Sequence, residues 1–117
     1  MLFIEYPKCS TSNKAKKWLN DNGLLFAKRN IKEDNPTYEE LKLWHEKSGL
    51  EIKKFFNTSG RLYREQNIKE VLETAGIEES LKILSTDGMM VKRPILVGDD
   101  FVLVGFKEEV WKNKVIK

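Results

Sequence analysis

The chain has 117 residues, 33% of them charged and 40% hydrophobic, a length and balance that suit one small α/β domain with a modest core and well-charged helices. Its net charge of +3 comes from 21 basic and 18 acidic residues that are interleaved along the chain, so direct nucleic-acid binding is not expected. No apolar run approaches membrane-spanning length, Met1 to Ile4 lacks the basic start of a signal peptide, and a single cysteine excludes an internal disulfide framework. These features together point to a reducing cytoplasm with no membrane partner.

Residues 2–6 form a short apolar run that reads as a buried first strand, stopped by Pro7. Over residues 12–22, Ala15, Trp18 and Leu19 recur at helical spacing, and Gly23 suits a left-handed cap after Asn22. Residues 24–31 read as a second strand. The helix between the two strands is long enough for a right-handed crossover, which makes them a parallel pair. A helical block at about residues 36–86 follows. Thr37 with Glu40 three residues on forms a capping box, and Tyr38, Leu41, Trp44 and His45 share one helical face. Ser48 and Gly49 end that helix. Residues 50–56 read as a short amphipathic helix, 57–60 as a polar turn, and 68–75 and 78–85 as two more helices. Asp87-Gly88 is a turn. Residues 95–97 and 101–104 flank Gly98-Asp99-Asp100 as a hairpin, Gly105 breaks the second of these strands, and residues 107–113 form a last helix. The order is β-α-β, helices, then β-β-α, in one domain over residues 1–117 with a mixed central sheet flanked by helices.

Cys9 organises the chemistry. It lies between the first strand and the first helix, where Ser10, Thr11, Ser12 and Asn13 all suit a cap. The positive end of the helix dipole and the neighbouring Lys8 favour a thiolate there. A strand–turn–Cys–helix unit is the redox arrangement of thioredoxin-like proteins. A lone cysteine is also often a small buried hydrophobe, although a cap-rich turn is an odd place for a core residue. The pattern is Cys-x-x-Ser, so Ser12 cannot resolve a disulfide and any exchange at Cys9 needs a sulfur from another molecule. Arg93-Pro94 is the second informative stretch, because an X–Pro bond just before a buried strand can be cis. If that loop faces Cys9, Arg93 supplies a guanidinium that favours the thiolate and can hold a carboxylate or oxyanion. His45 has no partner at ligand spacing, so no metal site is expected. Trp18, Trp44 and Trp111 read as packing residues.

Cys9-Ser10-Thr11-Ser12 before a lysine-rich helix, Asn57-Thr58-Ser59-Gly60 with Tyr63-Arg64-Glu65, Lys92-Arg93-Pro94-Ile95-Leu96-Val97, and Val104-Gly105-Phe106-Lys107-Glu108-Glu109 occur in that order. This set resembles the arsenate reductase-like family of the thioredoxin superfamily, which includes glutaredoxin-coupled arsenate reductases, Spx and MgsR regulators, and YffB- and YusI-type proteins. The resemblance covers nearly the whole chain. It implies a thioredoxin-like fold with a helical insertion. It implies catalysis by Cys9 and Arg93, with Lys8, Ser10, Thr11, Ser12 and Pro94 near the substrate. It further implies no bound cofactor, with glutathione or a thiol protein such as glutaredoxin or thioredoxin as co-substrate. Arsenate reductases of the family keep three arginines around the cysteine; Arg93 matches one, while Asn57 and Gly105 stand at the other two, with Arg61 and Arg64 nearby in sequence. Spx-type regulators typically carry Cys-x-x-Cys and a longer C-terminal stretch, which leaves the YffB/YusI group as the nearest. The expected function is therefore a thiol-dependent oxidoreductase. The alternative is an Spx-like regulator that contacts RNA polymerase without turnover.

Overall fold

The computed structural model describes residues 1–116. Strands β1 (Leu2–Glu5) and β2 (Ala27–Asn30) flank helix α1 (Ser10–Asp21). The helical block holds α2 (Tyr38–Ser48), α3 (Arg61–Glu65), α4 (Ile68–Thr74) and α5 (Ile77–Ser85), with single 3-10 turns at Ile52–Phe55 and Gly88–Met90. Strands β3 (Ile95–Val97) and β4 (Val102–Val104) and helix α6 (Glu108–Val115) complete the fold. The sheet order is β2-β1-β3-β4. β1 pairs with β2 in parallel, Leu2 opposite Ala27, and antiparallel with β3, Leu2 opposite Val97. The β3–β4 hairpin places Ile95 opposite Val104.

The period-two alternation of the strands divides the core between the two faces of the sheet. Phe3, Leu96 and Leu103 pack on one face with Ala15 and Leu19 of α1 and Trp111 of α6. Ile4, Ile95 and Val102 pack on the other with the helical block, including Leu41, Trp44, Phe55, Leu81 and Leu84. Trp111 is buried against Phe3, Trp18 and Phe106, and its indole N–H donates to the Gly105 carbonyl at 3.0 Å. Among the described residues, no helix is long and apolar enough to cross a membrane.

Several elements differ from the sequence reading, each for a local reason. β2 begins at Ala27 rather than at residue 24. Leu24 and Phe26 pack against the α1–α6 cluster without pairing, and Leu25 is 90% exposed, so an apolar run here is a connection. α1 begins at Ser10 and its cap is Cys9, not one of the hydroxyl residues after it. The stretch at 50–56 forms one 3-10 turn, too short for a stable helical nucleus. Its end turns extended instead: Phe56 bridges Val91, Asn57 N–H donates to Met90 O at 2.8 Å, and Lys92 N–H donates to Phe55 O at 2.7 Å. α3, a five-residue helix after the Gly60 turn, has no counterpart in the sequence reading. The capping box at Thr37 and Glu40 is present in full, and Gly49 takes the left-handed φ of +67° that ends α2.

Gly88 is fixed by a close approach. A Cβ there would lie 1.8 Å from the Ile31 carbonyl oxygen, so only glycine lets the turn after α5 pass the end of β2. Arg29 of β2 ties the same region together. Its guanidinium meets the Glu40 carboxylate at 2.6 and 2.9 Å, and this pair holds the Glu40 pKa down to about 2.

Candidate active site

The turn between β1 and α1 is closed by its own side chains. Cys9 N–H donates to Tyr6 O at 2.9 Å, Asn13 Nδ2 donates to Pro7 O at 2.9 Å, and Tyr6 N–H donates to Ser12 Oγ at 3.3 Å. Cys9 takes the N-cap position with extended backbone, and its side chain is half-buried. As a thiol it makes no full capping hydrogen bond. Burial is the largest influence on its pKa and pushes it up. The Ser12 N–H, the Ser12 hydroxyl, the Thr11 N–H and the Arg93 guanidinium together outweigh that and lower it. The thiol is therefore tuned toward the nucleophilic thiolate.

Arg93 arrives from the other side of the sheet's end. The Arg93–Pro94 peptide bond is cis. Pro94 is buried and its carbonyl accepts from Gly105 N–H at 2.8 Å, which anchors the loop to the end of β4. The Arg93 guanidinium stacks on the Tyr6 ring at 5.1 Å, and its Nε and Nη1 are buried without a hydrogen-bond partner.

The residues expected at the site divide into two groups. Cys9, Ser12, Thr11 and Arg93 converge on the sulfur. Ser12 is fully buried, accepts the Tyr6 N–H and lies against the sulfur. Pro94 is also buried, beside half-buried Arg93 on the same loop. Lys8 and Ser10 are exposed, and Lys8 is not among the groups that lower the Cys9 pKa; backbone N–H groups take the part expected of it. Half-buried Thr11 lies at the rim of a cleft that runs to β4 and α6. Position 105 adopts φ of +73°, a conformation that disfavours any side chain, arginine included. His45 packs edge-on against Phe55 at 5.9 Å, and among the described residues no cluster of three or more His, Cys, Asp or Glu could hold a metal.

Two cations that sequence reasoning did not assign share a cavity with Arg93. A space of about 620 Å³ is lined by Arg93, Asn57, Arg61, Lys32, Asn35 and Asp87, among others. Lys32 could have been foreseen: it follows β2 just as Cys9 follows β1, and ligands in α/β folds collect at the carboxyl ends of parallel strands. Arg61 stands near the expected site in sequence, after the Gly60 turn, but sequence alone does not place it in the pocket. It is brought in by the pairing of residues 55–57 with residues 90–92.

The same architecture occurs in known proteins. The YusI protein of Bacillus subtilis is 50% identical over 113 residues, covering 97% of this chain and 96% of YusI. The global transcriptional regulator Spx 1 of Bacillus cereus is 30% identical over 105 residues, covering 88% of this chain and 77% of Spx 1. A crystal structure of an ArsC family related protein from Bacteroides fragilis superposes with a TM-score of 0.94 at 53% identity, covering 96% of this chain and 94% of that one. The mixed sheet with flanking helices is the thioredoxin-like fold of these relatives. The ArsC family model matches residues 4–114, from inside β1 almost to the end of α6, and the chain belongs to the ArsC family.

Proposed function

We propose that the protein is a thiol–disulfide oxidoreductase that works through one cysteine. The observation that carries this reading is the Cys9 sulfur at the N-cap of α1, where Ser12, Thr11 and Arg93 lower its pKa against the effect of burial. The Cys9 thiolate attacks one sulfur of a disulfide. A new bond forms between Cys9 Sγ and that sulfur, the old S–S bond breaks, and the other half leaves as a thiolate stabilised by the cationic surroundings. No second cysteine is present, so a second thiol must attack the mixed disulfide. That thiol is glutathione or another small thiol, or the cysteine of a glutaredoxin- or thioredoxin-like protein. It releases Cys9 as thiolate and leaves joined to the substrate half as a new mixed disulfide; a second equivalent of the same thiol attacks that disulfide and frees the remaining half, so two thiols are oxidised for each disulfide reduced. A cytoplasmic location, where thiols are kept reduced, suits this chemistry. Mass spectrometry after exposure to oxidised glutathione tests it: one glutathione adduct on Cys9, removed by added thiol, is expected, and an unmodified protein would overturn the reading.

A second reading is a regulator that contacts RNA polymerase without turnover. It rests on two relatives that are named as regulators, Spx 1 and the MgsR protein of Bacillus subtilis, the latter 27% identical over 106 residues. Co-purification with RNA polymerase that survives Cys9→Ser, together with absent exchange, would favour it.

A further inference from the structure

The two edges of the sheet are not alike. β2 forms one edge and carries Lys28 and Arg29, charges of the kind that keep an edge from pairing with another chain. β4 forms the other with Val102, Leu103 and Val104 and holds no charge of its own. The register decides which of its backbone groups face outward. Gly98 N–H donates to Phe101 O at 2.9 Å, Gly105 N–H donates to Pro94 O at 2.8 Å, and Leu96 stands opposite Leu103. Alternation along an antiparallel pair then turns the N–H and C=O of Val102 and Val104 away from β3. Val102 is only 3% exposed, where α2 packs against β4. Val104 is half-buried, and the hydrogen bonds of the described residues leave its outward N–H and C=O without a partner. Such an edge is a template for an added strand. β4 runs in the same direction as β1, since both are antiparallel to β3, so Val104 lies toward the Cys9 end of the sheet.

This edge opens into a cleft of about 980 Å³. The stretch after α2, with Leu50, Lys53 and Lys54, forms one wall, and α6, with Lys107, Val110 and Lys114, forms the other. Leu50 and Val110 are 37% and 45% exposed, so both walls present an apolar side chain to whatever enters. The charge is one-sided. Lys53, Lys54, Lys92, Lys107 and Lys114 line the cleft, with Glu51 as the single carboxylate among its described lining residues. None of these five lysines makes an ion pair among the described residues.

An unpaired backbone edge, apolar walls and unpaired lysines together specify one kind of occupant. We propose that the cleft docks an extended, acidic segment of a partner protein, which adds as a short strand beside β4 at Val104. Side chains of an added strand alternate between the two walls, and each wall offers an apolar contact and lysines for carboxylates. A second copy of this chain fits poorly, because pairing β4 with β4 brings two sets of the same lysines together. A nucleic acid satisfies the lysines but supplies no strand for Val104 to pair with. The docking involves no thiol chemistry, so it stands apart from the reaction at Cys9.

The test uses the full chain and a panel of short synthetic peptides in which glutamates are interspersed with valine, leucine or phenylalanine. Binding is followed by fluorescence anisotropy and by NMR of the Val104 amide. Saturable binding is expected, with a shift of the Val104 signal and slower exchange of its N–H with water. Lys54→Gln and Lys114→Gln are each expected to weaken binding about two- to fivefold at low salt, the size of one exposed charge pair. Added salt should weaken binding to the wild type, and Lys28→Gln on the opposite edge should leave it unchanged. Methylating alternate backbone nitrogens of a binding peptide should abolish binding in one of the two phases, because that phase blocks the bonds to Val104. Five results would each overturn the proposal: no binding by any peptide, equal binding by peptides with lysine in place of glutamate, full binding by both methylated phases, Val104 protection that rises with protein concentration without peptide, or the same shifts produced by oligothymidylate.

Discussion

Ser12→Ala removes one hydroxyl from a fully buried side chain, and that hydroxyl does two things. It accepts the Tyr6 N–H at 3.3 Å, and it is one of the groups that lower the Cys9 pKa. Hydrogen bonds to a charged group contribute about 1.5–3 kcal/mol. Cys9 is only half-buried, so solvent screening reduces that to about 1 kcal/mol of thiolate stabilisation, roughly a fivefold change in thiolate population. The midpoint of iodoacetamide alkylation against pH should therefore move up. Alkylation at pH values below the midpoint should slow by about fivefold, or somewhat less because a more basic thiolate is a better nucleophile. The loss of an acceptor for Tyr6 N–H should cost about 1–2 kcal/mol of stability, which lowers Tm by about 3–8 °C. The two readouts separate two roles. A lower Tm with an unmoved alkylation midpoint would refute the claim that Ser12 acts on the sulfur, and would leave it as a structural brace for the β1–α1 turn.

Other expectations follow from the frame around the site. The Glu40 pKa is depressed to about 2 by Arg29, so this pair contributes fully above the unfolded carboxylate value. That contribution should fade as pH falls from about 4.5 toward 2. After discounting for solvent it is about 1–2 kcal/mol, and Glu40→Gln should lose about that much stability at neutral pH but little at the acid end of a denaturant series. Gly88→Ala places a methyl group on the Ile31 carbonyl and should destabilise by about 2–4 kcal/mol, read by thermal melting; a neutral effect would mean the β2 end is free to move. Arsenate should be reduced far more slowly than oxidised glutathione. By the resemblance to arsenate reductases, Asn57 and Gly105 take the places of two arginines, and two lost charged hydrogen bonds correspond to about 10² to 10⁴ in rate. Efficient arsenate turnover that is abolished by Cys9→Ser would overturn this.

What the sequence made legible is what is local. The capping box at Thr37 and Glu40, the stop at Gly49 and the Cys9 turn are each written within a few residues. The face of the sheet on which each strand residue packs follows from alternation alone. The placement of β2 went astray because an apolar run looks the same whether its residues pair or only pack, and Leu24 and Phe26 only pack. The 3-10 turn at Ile52–Phe55 was missed because its fate is decided some 35 positions away, where residues 90–92 offer it a partner. That same long-range pairing carries Arg61 to the cavity. So Cys9 and Arg93 can be named in advance from two short motifs and Lys32 from its place after a parallel strand, while Arg61 joins them only through the folded chain.

The positions of the cations also bear on why one thiol chemistry suits this site better than another. In oxyanion reduction the sulfur attacks the charged centre itself, so the compensating charges must crowd around the sulfur. Here the backbone works against that: φ of +73° at Gly105 resists any arginine there, and the neighbouring space is met by the Lys92 stem, 3.4 Å from where a Cβ would sit. In disulfide exchange the reacting sulfurs are neutral until bonds break, and the substrate's fixed charges lie several bonds away. Cations set back from the sulfur then help in binding without neutralising the nucleophile. Arg93 alone needs to stand beside Cys9, because only there does negative charge reside on sulfur before attack. Moving positive charge from the sulfur to the cavity wall, while keeping the helix N–H groups of Thr11 and Ser12, retains a reactive thiolate and changes which substrates it can hold.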